Sequence, residues 1–82
     1  MKIRITYIHK ISPRPDQDTY VVDGAQEDLI DLDSVRKLLR RHDHTAPNTK
    51  VDRKEVDTEG NDVFVFFPRK DIWHSIIVRE EP

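Results

Sequence analysis

Apolar and polar residues alternate at the start of the chain, in the pattern that is typical of a half-buried β-strand. Within 2–8, Ile3, Ile5 and Tyr7 fall on one face, and the intervening polar residues fall on the other. The β-branched and aromatic residues of 19–22 predict a second strand. A segment with two closely spaced prolines separates these strands and favours an extended loop. We therefore expect the two strands to form a hairpin with a long connection.

A helical period replaces the alternation in the middle of the chain. Four apolar residues recur at the spacing that places side chains on one face of an α-helix: Leu32, Val35, Leu38 and Leu39. A carboxylate at Asp31 or Asp33 caps the start of this helix, because it accepts hydrogen bonds from the free amides of the first turn. The helix is expected to end near 42–44. The charged segment 49–56 that follows predicts an exposed or edge strand.

The last third of the chain is the most apolar. Residues 62–79 contain four of the six aromatic side chains, and they predict two strands joined by a tight turn at 68–71. This turn places Phe66 opposite Trp73, and opposite residues share a face of the sheet. One face is then mainly aliphatic: Val63, Val65, Phe67, Ile72, His74, Ile76 and Val78. The other face is mainly aromatic: Phe64, Phe66, Trp73, Ser75 and Ile77.

Together these elements predict one small α+β domain over residues 1–82. We expect one helix to pack on one face of a mostly antiparallel sheet of four or five strands, in the order strand, strand, helix, strand, strand, strand. This order is similar to that of β-grasp domains, but the analogy is one of topology and implies no function. The aliphatic face suits the apolar stripe of the helix, so the aromatic face is left without a helix to cover it.

The uncovered aromatic face is the main functional hypothesis. Burial of one large apolar side chain stabilises a protein by roughly 1.5–3 kcal/mol, so we expect this face to be covered. The predicted partner-binding residues are Phe64, Phe66, Trp73 and Ile77. The cover is the proline-containing loop with the acidic segment of the same chain, a second copy, another protein, or a nucleic-acid base or small ligand. We favour a non-enzymatic interaction module that binds a protein partner or itself.

Composition restricts the other classes. The 82 residues are 35% apolar and 37% charged, which suits one marginal core. The formal net charge of −2 gives no bulk attraction to nucleic acids or membranes. The chain has no cysteine, so disulfides and thiolate metal sites are excluded, and a cytoplasmic location fits. We expect no secretion signal after Met1 and no membrane span, because no apolar run approaches roughly 20 residues.

The alternative function is nucleic-acid binding. Its candidates are basic side chains on the helix and in the last turn, which would contact phosphates: Arg36, Lys37, Arg40, Arg41, Arg69 and Lys70. The aromatic face would then act as a stacking platform for bases. Basic residues toward the end of a helix also complement the helix dipole without any ligand, and the negative net charge disfavours a polyanion as partner.

Catalysis and metal binding have little support in the pattern. His42 and His44 flank one aspartate, but a metal would need a third ligand from elsewhere, so we expect a solvated helix end. The third functional hypothesis is a small ribonuclease-like enzyme, whose acid–base residues would share one sheet: His74 with Arg53, Glu55 or Arg79. No motif assigns a catalytic residue, a cofactor or a metal site.

Overall fold

Five strands form one antiparallel sheet, and an α-helix packs on one of its faces. The computed structural model describes residues 1–11, 18–42, 49–69 and 73–82. Its elements are β1 (Lys2–His9), β2 (Thr19–Asp23), a 3₁₀-helix (Gln26–Leu29), α1 (Leu32–Arg41), β3 (Thr49–Val56), β4 (Asp62–Pro68) and β5 (Trp73–Glu80). The strand order in the sheet is β2-β1-β5-β4-β3, and all four pairings are antiparallel. The predicted α+β fold and its order of elements are confirmed.

The core lies between α1 and the three central strands, β1, β5 and β4. Its buried side chains come from these four elements: Ile3, Ile5, Val35, Leu38, Leu39, Phe64, Phe66, Ile76 and Val78. The predicted apolar stripe of the helix and the predicted inward face of the first strand are thereby confirmed. None of the helices in the described residues is long and apolar enough to cross a membrane.

Asp31 determines where α1 begins. Its Oδ1 accepts a hydrogen bond of 2.8 Å from the amide of Ser34, as a helix N-cap requires. The hydrogen bond from Ser34 also lowers the pKa of the Asp31 carboxyl. At the other end, the amide of His42 donates to the carbonyl of Leu38, and the last turn carries two arginines that complement the helix dipole. Of the two candidate caps, the structure uses the first.

The connection from β2 to α1 contains the 3₁₀-helix, which the sequence pattern did not predict. Gly24 precedes it and packs so closely on β1 that a Cβ there would lie 2.3 Å from Cδ1 of Ile3. The carboxylate of Asp28 accepts a hydrogen bond of 2.8 Å from the amide of Ala25 and one of 2.9 Å from Arg41. These contacts tie the connection to the last turn of α1.

The predicted edge position of β3 is confirmed, since β3 pairs only with β4. The two strands are joined by a turn whose Asp57 carboxylate accepts hydrogen bonds of 2.9 Å from the amides of Glu59 and Asn61. Gly60 in this turn has a φ of 85°, which glycine adopts without strain. The proline-containing loop and most of the turn predicted at 68–71 lie outside the described residues, as do Lys70 and Ile72.

The register of β4 and β5 differs from the predicted one by three residues. Phe66 lies opposite Ile76 rather than Trp73, and Phe64 lies opposite Val78. An odd shift exchanges the two faces of one strand relative to its neighbour. Both phenylalanines therefore lie under α1 together with the aliphatic residues of β5. The predicted division into an aliphatic helix-facing side and an aromatic opposite side was wrong.

A β-bulge decides the position of Trp73. Between Ile8 and His9 the pairing advances one residue along β1 but two along β5, so His74 is an extra residue in its strand. The bulge returns Trp73 to the face that carries α1. There its ring lies 5.0 Å from the ring of Tyr7 and 4.4 Å from the ring of His9, measured between centroids. The side of the sheet predicted for Trp73 was therefore wrong as well.

The position of Leu38 in the core yields the first testable prediction. Its side chain is fully buried, so Leu38→Ala should lower the free energy of unfolding by about 2–5 kcal/mol. The measurement is urea denaturation followed by circular dichroism. The control is Lys37→Ala, because Lys37 is exposed on the same helix. A Leu38→Ala variant as stable as that control would contradict the packing of α1 on the sheet.

Candidate interaction surface

The sheet face away from α1 is the candidate functional site, and we call it the open face. Within the described residues no helix or strand packs over it. The register of the four strand pairs places the following side chains on it: Lys2, Arg4, Thr6, Ile8, Thr19, Val21, Asp23, Arg53, Glu55, Val63, Val65, Phe67, Ser75, Ile77 and Arg79. The open face is therefore broad and aliphatic at its centre, with charged side chains toward its rim.

The centre of the open face is built across β1, β5 and β4. Ile77 lies opposite Val65 on one side and opposite Thr6 on the other, and Ile8 lies opposite Ser75. Thr6 and Ser75 are less than 10% exposed, so these small polar side chains lie lower on the face than their larger aliphatic neighbours. The two isoleucines remain half-buried. Apolar side chains on an otherwise uncovered sheet are the usual sign of a contact surface.

Phe67 marks the β4 side of this surface. Its ring is half-buried, and the guanidinium carbon of Arg53 lies 5.0 Å from its centroid, which is a cation–π contact. The ring of His74 meets its edge at a centroid distance of 6.1 Å. Neighbours on both sides thus hold Phe67 in place at the margin of the aliphatic centre.

The rim of the open face is neutralised by ion pairs. In the described strands, four cations on this side of the sheet lie beside a carboxylate of the same chain: Lys2 and Asp23 at 2.6 Å, Arg4 and Glu81 at 2.6 Å, Arg53 and Glu55 at 3.2 Å, and Arg79 and Asp57 at 2.7 Å. Exposed pairs of this kind stabilise a fold only slightly. Their effect on binding is larger, because they reduce the unbalanced positive charge that would attract a polyanion.

Two of these pairs offset a repulsion inside the sheet. Arg4 and Arg79 lie directly opposite each other on neighbouring strands, an arrangement that is destabilising for like charges. The carboxylates of Glu81 and Asp57 flank them. The hydrogen bond from Arg4 lowers the pKa of the Glu81 carboxyl. The backbone amide of Asn61, with help from Arg79, lowers the pKa of the Asp57 carboxyl.

The predicted partner-binding residues do not lie together. Phe64 and Phe66 are 0% exposed in the core, so no partner reaches them. Trp73 lies on the helix side at one end of the sheet, and only Ile77 is on the open face. The structure adds Phe67, which is half-buried, and next to it Val65, which is 8% exposed. The alternation within 62–67 correctly predicts that these two residues share a face, but the predicted register assigns that face to the helix.

The aromatic residues at the end of the sheet form an end cluster of Tyr7, His9, Tyr20 and Trp73. The two tyrosine rings meet edge to face at a centroid distance of 5.8 Å. His9 also pairs with Asp18, with Nε2 and Oδ2 separated by 3.0 Å. Tyr7 packs against the core, and its ring contacts connect Tyr20 and Trp73 to it, although Tyr20 is 48% exposed.

Half of the basic residues of α1 form ion pairs within the chain. Arg36 forms ion pairs with Asp33 and Asp52, and Arg41 pairs with Asp28 at 2.9 Å. The other candidates differ in position: Lys37 and Arg40 are exposed on α1, Arg69 is exposed after β4, and Lys70 lies outside the described residues. Two of the four helix cations are thus neutralised, which weakens the case for a phosphate-binding surface.

The candidate metal-binding and catalytic histidines are dispersed. The ring of His42 lies 2.9 Å from the carbonyl of Asp23, while residues 43 and 44 lie outside the described part of the chain. On the open face, His74 Nδ1 lies 3.2 Å from Oγ of Ser75. In the segments that the structure describes, no three metal-ligating side chains come together.

No protein-family model, curated protein or solved structure matches the chain. Function is therefore inferred from the geometry of the open face and of the sheet edges.

The neighbouring phenylalanines of β4 test which face is buried. Phe66→Ala should cost about 3–5 kcal/mol of stability, because it empties a fully buried site. Phe67→Ala should cost less than half of that, because Phe67 is on the open face and half-buried. Chemical denaturation of both variants is the measurement. Equal losses would contradict the observed register.

The rim carboxylates predict a dependence of stability on pH. A lowered pKa in the folded state contributes stability above the ordinary value of about 3.9, and this contribution is lost as the pH falls through the lowered value. Asp57→Asn keeps an acceptor for the turn amides but removes the charge. We expect this variant to be less stable than the wild type at pH 7 and to lose less stability on going to pH 3. Urea denaturation at both pH values is the measurement, and an unchanged loss would contradict the role of Asp57.

Proposed function

We propose that the protein is a small interaction module without enzymatic activity, which associates with a second copy of itself through the open face. The observation that carries the proposal is the aliphatic centre of that face around Ile77, Val65 and Ile8, over which no described element packs. A cysteine-free chain suits a reducing compartment, and we place the module in the cytoplasm.

The area of the open face supports a weak but specific dimer. Five strands spaced about 4.8 Å apart, with about seven residues each at about 3.3 Å per residue, span roughly 24 Å by 23 Å, or about 550 Å² per copy. Two copies packed face to face would bury about 1,100 Å². Specific interfaces begin at about 1,000 Å², so this contact alone favours a dimer that forms at high protein concentration.

The charge distribution favours a second copy over a strongly charged partner. Four rim cations in the described strands are paired within the chain, and the net charge of each copy is only −2. Two such surfaces meet without large repulsion, and two antiparallel sheets can pack at about 10 Å with their strands nearly aligned. A nucleic acid on the sheet would have to displace these ion pairs, and on α1 it would compete with the carboxylates that pair with Arg36 and Arg41, although Lys37 and Arg40 are exposed.

Ile77 provides the test of this proposal. We expect the wild type to sediment at twice the 9.7 kDa monomer mass or more, and Ile77→Lys to lose at least half of the associated mass, because a charge would be buried at the contact. The matched control is Ile30→Lys, since Ile30 is 60% exposed and lies outside the open face. Circular dichroism checks that both variants are folded.

Several outcomes would contradict the proposal. A wild type that remains monomeric up to a protein concentration of about 1 mM would exclude the proposed self-association. An assembly that survives Ile77→Lys would place the interface elsewhere. A mass shift caused by added RNA at low salt, and abolished by Arg40→Glu, would favour the nucleic-acid alternative.

A further inference from the structure

The two edges of the sheet differ in how well they are protected against pairing. On β3 the run from Asp52 to Glu55 is entirely charged, and the register shifts between Thr49 and Val51. Charged side chains and irregular pairing are the usual means of preventing edge-to-edge contact. On β2 the run from Thr19 to Val22 has no charge, and its pairing with β1 is regular. β2 therefore lacks the protection that β3 has.

At the centre of β2, the backbone groups of one residue, Val21, point away from the sheet. Met1 and Gly24 exchange hydrogen bonds of 2.8 and 2.9 Å. Because bonded and non-bonded pairs alternate along an antiparallel ladder, Val22 and Tyr20 are also bonded to β1. The amide and carbonyl of Val21 then point away from the sheet, and neither group has a hydrogen-bond partner among the described residues. The side chain of Val21 is 51% exposed.

We infer that β2 pairs antiparallel with β2 of a second copy, with the two-fold axis passing between the two Val21 residues. Each Val21 amide donates to the Val21 carbonyl of the other copy, so both outward groups are satisfied by one residue of each chain. This register places Tyr20 beside Val22 of the other copy on the side that carries α1. The pairing brings no like charges together.

The edge pairing involves few residues, so a stable assembly also requires the contact between open faces. The ring of His42 already lies 2.9 Å from the carbonyl of Asp23, so the contact is confined to the residues around Val21. The inference thus rests partly on the proposed function, although it starts from a different surface. The edge pairing alone is expected to be weak, because two hydrogen bonds contribute little net free energy in water.

The two contacts are geometrically compatible. A two-fold axis between β2 strands is perpendicular to the sheet, whereas the axis of a face-to-face pair lies parallel to it. Perpendicular two-fold axes that meet generate a tetramer with D2 symmetry. It would contain two ten-stranded sheets packed through their open faces, with the helices outside. Doubling each open face raises the area buried between the sheets to about 2,200 Å², the size of a stable interface.

A proline at position 21 tests the edge pairing separately from the contact between open faces. Val21→Pro removes an outward amide and therefore no hydrogen bond within the chain, and proline is tolerated at such edge positions. The matched control is Val56→Pro on β3. Val56 is 65% exposed, and its amide also points outward, because the bond from Asp57 to Asn61 sets the alternation on that side. We expect sedimentation at four times 9.7 kDa for the wild type and Val56→Pro, and at half that mass for Val21→Pro.

The outcomes distinguish this inference from the proposed function. If Val21→Pro leaves the assembly intact, the edge pairing is wrong. The contact between open faces is then tested by Ile77→Lys alone. If Val21→Pro abolishes all association and Ile77→Lys has no effect, the edge pairing holds and the face contact is wrong. A monomeric wild type overturns both.

Amide hydrogen exchange tests the edge without a mutation. In NMR measurements the Val21 amide should exchange slowly at high protein concentration and at least tenfold faster after dilution to the monomer. The Val56 amide should exchange rapidly at both concentrations. A Val21 amide that exchanges rapidly at every concentration overturns the inference, even if Val21→Pro fails to fold.

Discussion

The burial of two phenylalanines under one helix is the interaction on which the rest of this structure depends. Phe64 and Phe66 are the largest fully buried side chains, and α1 covers only one face of a five-stranded sheet. Arg36 and Lys54 cover the rings from the margin, at 5.6 Å and 5.8 Å from the centroids. The chain is only 35% apolar, and the described residues contain no further α-helix that could form a second layer of this kind. Phe64 and Phe66 therefore gather on the side of α1, whereas Phe67 lies at the margin of the open face.

The open face, opposite α1, then carries mainly aliphatic residues and a large share of the charges. The charges are arranged in pairs that connect distant parts of the chain, such as Arg4 with Glu81 and Arg79 with Asp57. Such pairs add little stability at an exposed site, but they determine what the face attracts. A neutral rim around an aliphatic centre suits a similar surface better than it suits a nucleic acid. This is the physical basis on which we prefer self-association.

Self-association would increase the stability of a chain as small as this one. A chain of 82 residues buries a smaller fraction of its surface than a larger domain does, and oligomerisation is one of the ways in which small scaffolds gain stability. In the assembly that we propose, the face and the edge of β2 support each other, because pairing at the edge doubles the area of each face. The charged edge at β3 would then limit growth of the sheet to ten strands.

The amino-acid sequence by itself determined the local elements of this protein. The positions of the strands, the start of α1 near Asp31, the inward face of β1 and the exposed edge at β3 all follow from alternation, helical period, capping and charge. These signals arise between residues close in the chain, so they are readable without the fold.

Only the tertiary structure decided which way the last hairpin faces. The apolar residues of β4 and β5 allow two registers of opposite parity, since both faces are apolar. Pairing of β5 with β1 on its other side removes this ambiguity: Val78 lies opposite Ile5 and Ile76 opposite Tyr7, so both must share the face of the buried β1 residues. The bulge at His74 then reverses the parity once more for Trp73. Both effects depend on a strand nearly 70 residues earlier in the chain, and no local pattern within the hairpin records them.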